Sequence, residues 1–379
     1  MTDQKTATPV VDTIRKPAVR TSSPFDVAEV RKRVETALHV FLDRRAPELR
    51  TVGGDVAAAG DLVRGFLAAG GKRIRPVLCY WGWRAAGGRD TGSDHEGIIA
   101  AAASLELFHA FGLVHDDIMD DSRIRRGQPT VHRRMAALHA RCGWHGDPDL
   151  FGTGAGILVG DLCLVWSLAM FRECGLPVQA IHSASRLLHE MHWEVMGGQY
   201  LDLVGQCRRD RSVADAATVV RYKSAKYTVE RPLQVGAALA GADTALLQAF
   251  TRFGVPLGEA FQLRDDVLGV FGDPALTGKS NTDDLREGKA TVMVALARTA
   301  ASPPQHRRMD ELLGNHDLDP DGAQELRHII TTTGALARVE EMITERAARA
   351  LRELDRSPAS AEARAALRDL AGALTVRTS

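Results

Sequence analysis

Two acidic clusters lie far apart in the chain: His115-Asp116-Asp117-Ile118-Met119-Asp120-Asp121, and Gln262-Leu263-Arg264-Asp265-Asp266 running on to Asp273. The stretch from Ile98 to Val114 is mostly apolar, lacks proline and is rich in helix formers, so the first cluster falls at the C-terminal end of a buried helix. The helix dipole already places partial negative charge there, and carboxylates gathered on it repel the dipole and each other unless cations hold them. Asp116 and Asp120 project side by side one turn apart, the geometry from which two carboxylate oxygens hold a hard divalent ion. A second cluster facing the first would put ions between them, an arrangement suited to a diphosphate.

The basic residues say what the acids are for. Gly70-Gly71-Lys72-Arg73-Ile74-Arg75-Pro76 sets two glycines ahead of three cations, so backbone can approach an anion while Lys72 and Arg75 reach it from the first turn of a helix. Arg123, Arg125 and Arg126, followed by Gly127, come directly after the first acidic cluster, where an arginine fork holds diphosphate oxygens beside metal ions. Lys223-Ser224, Lys279 and Lys289 add further cations. Plainer readings exist for each: the acids paired with Arg123 and Arg126 at a helix end, His109 a satisfied core histidine, Phe108 and Phe111 core residues, and Lys289, the weakest claim, a solvated lysine after Glu287-Gly288. Acids suited to metals beside bases suited to phosphate are hard to explain as structure alone.

The elements that must carry these residues read as all helical. The chain has 379 residues with 45% hydrophobic content and no compositional break after residue 25, which favours one large domain over residues 26–379 behind a disordered leader at 1–25. Helices are expected near 26–46, 54–69, 72–86, 96–119, 130–139, 152–173, 177–203, 213–239, 243–270, 288–301, 306–314, 321–334 and 336–370. Alternating strand patterns and Asn-Gly turns are missing. A formal net charge of zero implies no nucleic-acid surface. Five scattered cysteines without a C-x-x-C pair argue against a disulfide framework or a structural zinc, and fit a reducing cytoplasm. No run of about eighteen apolar residues is found, so no membrane span is expected. Trp81, Trp83, Trp166 and Trp193 are assigned to the core, and Gly198 to a close helix contact.

Taken together, the motifs resemble the trans (head-to-tail) isoprenyl diphosphate synthases, or polyprenyl synthetases, and most of all the bacterial geranylgeranyl diphosphate synthases. The likeness covers nearly the whole chain from Phe25 on. It rests on Gly-Gly-Lys-Arg-x-Arg-Pro, Glu106-Leu107-Phe108-His109, Asp116-Asp117-x-x-Asp120 with Arg125-Arg126-Gly127 and Pro129-Thr130-x-His132, Gly198-Gln199-x-x-Asp202, Tyr222-Lys223-Ser224, and Phe261-Gln262-x-x-Asp265-Asp266, in the family's order. The resemblance implies a large helical bundle around a central cavity, a homodimer, and about three magnesium ions held by Asp116, Asp120 and Asp265. It places isopentenyl diphosphate on Lys72, Arg75, His109 and Arg126, and the allylic diphosphate on Arg125, Lys223, Ser224, Gln262, Lys279 and Lys289. Asp116, Asp117, Asp120, Arg125, Lys223, Asp265 and Asp266 form the implied catalytic set.

The implied reaction uses no protein nucleophile. With magnesium neutralising the leaving charge, the allylic carbon–oxygen bond ionises, the homoallylic double bond attacks, and the released diphosphate takes the proton near Ser224 and Gln262. Two positions depart from the family pattern. Gly269 stands where the second motif usually has a third aspartate, with Asp273 one turn on and Asp283 or Asp284 available to orient Lys279 and water; Ser224 replaces a frequent threonine and keeps its hydroxyl. A class I terpene cyclase has no use for Lys72, Arg75 and His109, and its Asn/Ser/Glu metal motif is not visible. A non-catalytic partner subunit typically loses its aspartates, and head-to-head synthases lack the Gly-Gly-Lys segment. The growing tail is expected to pass Gly112, Phe111 and Phe108, which lie four, five and eight positions before Asp116 on one helical face. By resemblance, an aromatic at 111 marks a geranylgeranyl product, with farnesyl the nearest alternative.

Overall fold

The computed structural model describes residues 27–208, 211–274 and 280–375. The expected leader and Lys279 lie outside the described residues. The fold is all-α, as the residue pattern predicts. Helix α1 (Val27–Val52) shows why: Val30, Val34, Leu38, Phe41 and Leu42 recur at helical spacing and are all buried. It is followed by α2 (Gly54–Ala68), α3 (Ile74–Ala85) and the long α4 (Ser93–Met119). A short hairpin, β1 (Ile124–Arg125) with β2 (Gln128–Pro129), leads into α5 (Val131–Cys142), α6 (Pro148–Arg172) and α7 (Val178–Cys207). Then come α8 (Val213–Val219), a π-helix (Val220–Glu230), α9 (Arg231–Leu239) and α10 (Thr244–Phe271). The one-turn α11 (Asp283–Arg286) precedes α12 (Val292–Ala300), α13 (Pro303–Leu312), α14 (Pro320–Thr332), α15 (Ala335–Asp355) and α16 (Ala361–Thr375).

Two hydrophobic clusters share this frame. The larger is built from α1 to α4, α6, α7, the π-helix, α9, the first half of α10, the end of α15 and α16, and α4 passes through it flanked by α6. The smaller joins the second half of α10 to α12, α14 and the start of α15. Helix α10 belongs to both, so its acidic segment is fixed where they meet.

Several expectations need correction. The predicted helix at 336–370 is two, because Pro358 cannot continue the ladder and the chain breaks between Asp355 and Ala361. Helix α3 begins at Ile74, so Lys72 lies in the loop ahead of it rather than in its first turn. The hairpin at 124–129 and α11 were not anticipated, being only a few residues long. Trp193 is 62% exposed rather than core, while Trp81, Trp83 and Trp166 are buried. Two helices, α4 and α6, are in fact long and apolar enough to cross a membrane, since their apolar runs are interrupted mainly by small or weakly polar residues, with Glu106 and Asp161 as isolated charges. Most of α4's apolar stretch is buried inside the bundle, which is the signature of a core helix.

Candidate active site

The first acidic cluster is shaped by how α4 ends. Ser122 N–H donates to Asp117 C=O at 2.9 Å and Asp121 N–H to Ile118 C=O at 3.3 Å, a Schellman closure with Asp121 in the left-handed region at φ 50°. Asp116 and Asp117 occupy the last turn and Asp120 caps it. The chain then reverses through the hairpin, whose two-residue loop is Arg126-Gly127 at φ 53° and 71°. Positive φ at both positions is what a tight hairpin requires, and for a non-glycine residue it costs roughly 1–2 kcal/mol. Thr130 fastens the hairpin from below, its hydroxyl donating to Ser122 C=O at 2.9 Å. Among the described residues the only non-glycines with positive φ are Arg73, Asp121 and Arg126, and all three border this site.

Arg125 folds back over the cluster, with Nε 2.6 Å from Asp117 Oδ1 and Nη2 3.7 Å from Asp116 Oδ2. Lys223, from the π-helix, donates to Asp202 Oδ2 at 2.7 Å and to Asp116 Oδ1 at 3.4 Å. That π-helix is wider than an α-helix and needs neighbours without side chains. A Cβ on Gly198 of α7 would overlap the backbone nitrogen of Lys223, and one on Gly258 of α10 would stand 2.5 Å from Ala225 Cα. Gly198 is therefore the close helix contact the sequence suggests. Pro232, which has no N–H to donate, stands where the widened register returns to α.

The second cluster is built mostly by its own helix and the chain just after it. Asp265 is half-buried and Asp266 buried; Gln262 Nε2 donates to Asp266 Oδ1 at 2.7 Å. Lys289 lies 2.9 Å from Asp284 Oδ1 and 2.7 Å from Glu287 Oε2. Burial alone would lower the Lys289 pKa, but Asp284, Glu287 and Asp120 hold it well above the usual lysine value. A residue from the second region thus feels the first cluster.

The carboxyl groups differ in charge balance. Burial acts to raise Asp116, but Lys223, Arg125 and Lys289 outweigh it and keep its pKa below the usual range. Burial pushes Asp117 up to about 6 despite Arg125. Burial and the neighbouring Asp116 push Asp120 up to about 7. Burial, with Asp284 and Asp265, pushes Asp266 up to about 8. Asp117 Oδ2 is buried without a hydrogen-bond partner. Such an all-oxygen set short of positive charge fits a hard divalent cation such as magnesium. Among the described residues no three His, Cys, Asp or Glu side chains close into a cage, so an ion here would complete its shell with oxygens from outside the protein.

The predicted anion-binding residues Arg75, His109 and Arg126 gather beyond the hairpin. Arg75 Nη2 donates to Thr228 Oγ1 at 2.8 Å, and its guanidinium stacks 4.1 Å from the Tyr227 ring centroid. The Tyr227 hydroxyl is 3.3 Å from His109 Nδ1. Burial, then Arg75, Arg126, Arg125 and Arg73, lowers the His109 pKa well below its usual value, so the ring is neutral. Arg126 donates to Gly70 C=O and passes over Phe66. Lys72 is exposed in the adjoining loop. Arg73, by contrast, is structural: it bonds buried Glu106 at 2.7 Å and Leu67 C=O at 2.7 Å. Ser224 is half-buried on the π-helix next to Lys223.

On α4, a Cβ at Gly112 would meet nothing within 4 Å, so this face opens onto free space. Phe111 is half-buried with its ring edge on His115 at 4.8 Å, and Phe108, 1% exposed, stacks on His192 at 3.9 Å. Sequence reasoning assigned no role to His192, Tyr227, Thr228, Glu287 or Asp202. Only Asp202 lay in a motif the sequence displays.

The polyprenyl synthetase family model matches residues 58–330. A geranylfarnesyl diphosphate synthase from Aeropyrum pernix is 34% identical over 77% of this chain and 86% of its own. A (2E,6E)-farnesyl diphosphate synthase from Mycobacterium tuberculosis is 35% identical over 59% of this chain and 56% of its own. Among solved structures, a geranylgeranyl pyrophosphate synthase from Corynebacterium glutamicum, complexed with isoprenyl diphosphate and magnesium, superposes with a TM-score of 0.89 at 41% identity, covering 92% of this chain and 99% of that one.

Proposed function

For this chain, which belongs to the polyprenyl synthetase family and is a short-chain trans-prenyl diphosphate synthase using magnesium, we propose geranylgeranyl diphosphate as the product. The observation that carries the site assignment is Lys289, bonded to Asp284 and close enough to act electrostatically on Asp116 and Asp120 of the first cluster and on Asp266 of the second, with Lys223 bonded to Asp116. In this reading Asp116, Asp120 and Asp265 hold magnesium, which when bound neutralises the departing diphosphate. Arg125, Lys223, Lys289 and Ser224 hold the allylic diphosphate against it. Gln262 holds Asp266 in place and presents its amide near the reacting carbons. Lys72, Arg75, neutral His109 and Arg126 hold isopentenyl diphosphate on the other side of the hairpin, while Tyr227 and Thr228 fix Arg75 and His109. Between the two anion sites, buried Phe108 and the helices packed around α4 form an apolar wall, which keeps water from the cationic intermediate.

The product assignment is supported by the open space at Gly112, closed further along α4 by Phe111 and the Phe108–His192 stack. Purified protein given labelled isopentenyl diphosphate and each allylic primer, followed by dephosphorylation, should yield geranylgeraniol as the main alcohol. Farnesol as the end product, unchanged with time, would overturn it. We also propose a homodimer, supported by Ile157, Leu158, Val165 and Leu168 on α6 and Trp193 and Tyr200 on α7, apolar or aromatic residues that lie exposed. Light scattering should give twice the chain mass; a monomer at micromolar concentration would contradict it.

A further inference from the structure

Position 269 falls three and four residues after Asp266 and Asp265, on the same face of α10, and holds no side chain. The space beside it is filled from elsewhere. A Cβ built on Gly269 would overlap Asp284 Oδ2 and stand 3.0 Å from its Cγ, so this carboxylate rests against the helix where a side chain of residue 269 would begin. Asp284 is held there by its surroundings. Leu285 beside it is 1% exposed in the smaller core, Lys289 N–H donates to Asp284 C=O at 3.0 Å, and Arg286 bonds Leu318 C=O at 3.1 Å. The approach to α11 is tied to α10 as well: Asn281 donates to Gly272 C=O at 3.0 Å, and Arg327 bridges Val270 C=O at 2.8 Å and Asn281 C=O at 3.0 Å. The other candidates sit worse. Asp273 is exposed beyond the end of α10, and Asp283 is exposed and 3.4 Å from Arg286.

We propose that Asp284 supplies the third carboxylate of the second acidic cluster, reaching across from α11 to the face of α10, and that Gly269 is small because Asp284 occupies its place. The carboxylate missing from the helix is thus returned by the loop that also carries Lys289, its resting counter-ion. The inference rests on the second cluster being a metal site, and the test separates the two.

Mn2+ binding in the presence of inorganic diphosphate, read by loss of the free-ion electron paramagnetic resonance signal, distinguishes the candidates without turnover. Asp265→Asn tests the cluster itself: if it binds Mn2+ as the unaltered chain does, the metal reading of the second cluster fails. Given a loss there, the isosteric Asp284→Asn should weaken binding about tenfold or more, and Asp273→Asn should leave it unchanged. Gly269→Asp alone should crowd Asp284 and weaken binding, whereas Gly269→Asp with Asp284→Gly should recover it to within about threefold. Should Gly269→Asp unfold, as circular dichroism would show, Asp284→Asn still decides. Undiminished Mn2+ binding by Asp284→Asn beside a loss in Asp265→Asn overturns the proposal, as does a loss confined to Asp273→Asn.

Discussion

Asp116 and Asp117 are in direct contact with cations from two elements: Arg125 from the adjoining hairpin, eight residues after Asp117, and Lys223 from the π-helix, 107 residues after Asp116 and itself braced by Asp202. Asp266 instead takes a hydrogen bond from Gln262, one turn earlier on the same helix, while Lys289 in the chain that follows is bonded to Asp284 rather than to the helix pair. The consequence shows in their chemistry. Asp116 stays ionised below the usual carboxylate range, while burial drives Asp266 up to about 8. In the first cluster one carboxylate, Asp116, is balanced by cations the fold must bring together, while Asp117 and Asp120 are pushed up to about 6 and about 7. Both clusters are thus left short of positive charge, which magnesium would supply, and the second has the less direct protein compensation.

If this contrast is right, the largest effects come from removing acids. Asp116→Ala should cut turnover by about a hundred- to a thousandfold, the scale of a lost transition-state contact, and leave Lys223 and Arg125 without their shared partner. Asp265→Ala should fall by a similar factor but be eased by raised magnesium, because among the described residues no lysine or arginine is paired with it as Lys223 and Arg125 are with Asp116. Steady-state rates across a magnesium series check both. Excess EDTA should abolish activity and added magnesium restore it; near-normal rates in EDTA would break the comparison at its root.

Next in size are the lysines. Lys223→Ala removes a bridge to Asp202 and Asp116, and hydrogen bonds to charged groups of this kind contribute roughly 1.5–3 kcal/mol, so both the apparent affinity for the allylic substrate and the melting temperature should drop. Lys289→Ala should weaken allylic binding with little change in melting temperature, since its partners lie in a loop at the edge of the smaller core. Equal thermal losses in the two variants would erase the distinction between a fold-dependent and a locally built cluster.

Away from the acids, Arg75→Ala and His109→Ala should raise KM for isopentenyl diphosphate about tenfold or more while moving the allylic KM far less. Equal effects on both substrates would count against separate sites.

How much of this was readable in the residues follows the same division. The helices of the core, the two acid clusters and the cations Arg75, Arg125, Arg126 and Lys223 were visible because helical periodicity and motif spacing are local properties. The π-helix was not, because its cause is tertiary: Gly198 and Gly258 admit a wide backbone only once α7 and α10 are packed around it. Tyr227 and Thr228 reach Arg75 and His109 through that helix, so their role was hidden too. Lys289 was undervalued for a related reason. Its neighbours in sequence, Glu287 and Gly288, suggest a solvated lysine, whereas the fold turns it toward Asp284 and the field of Asp120. Trp193 was misplaced because apolar character alone cannot tell a core residue from one on an exposed helix face.

The smallest expected effect is on product length. Phe111→Ala should lengthen the product by a prenyl unit, and shortening Phe108 or His192 as well should extend it further, as judged by chromatography of the alcohols. Unaltered length in all of them would place the floor elsewhere.

The central claim is that the two acidic clusters hold one diphosphate jointly, through shared cations. Calorimetric titration of an unreactive thiolo analogue of an allylic diphosphate, with magnesium present, into the unaltered chain, Asp116→Asn, Asp265→Asn and the double variant tests it most directly. Shared ions predict strong non-additivity: either single change should weaken binding nearly as much as both together. Additive losses, or a single variant that binds as tightly as the unaltered chain, would show two independent clusters and contradict the account.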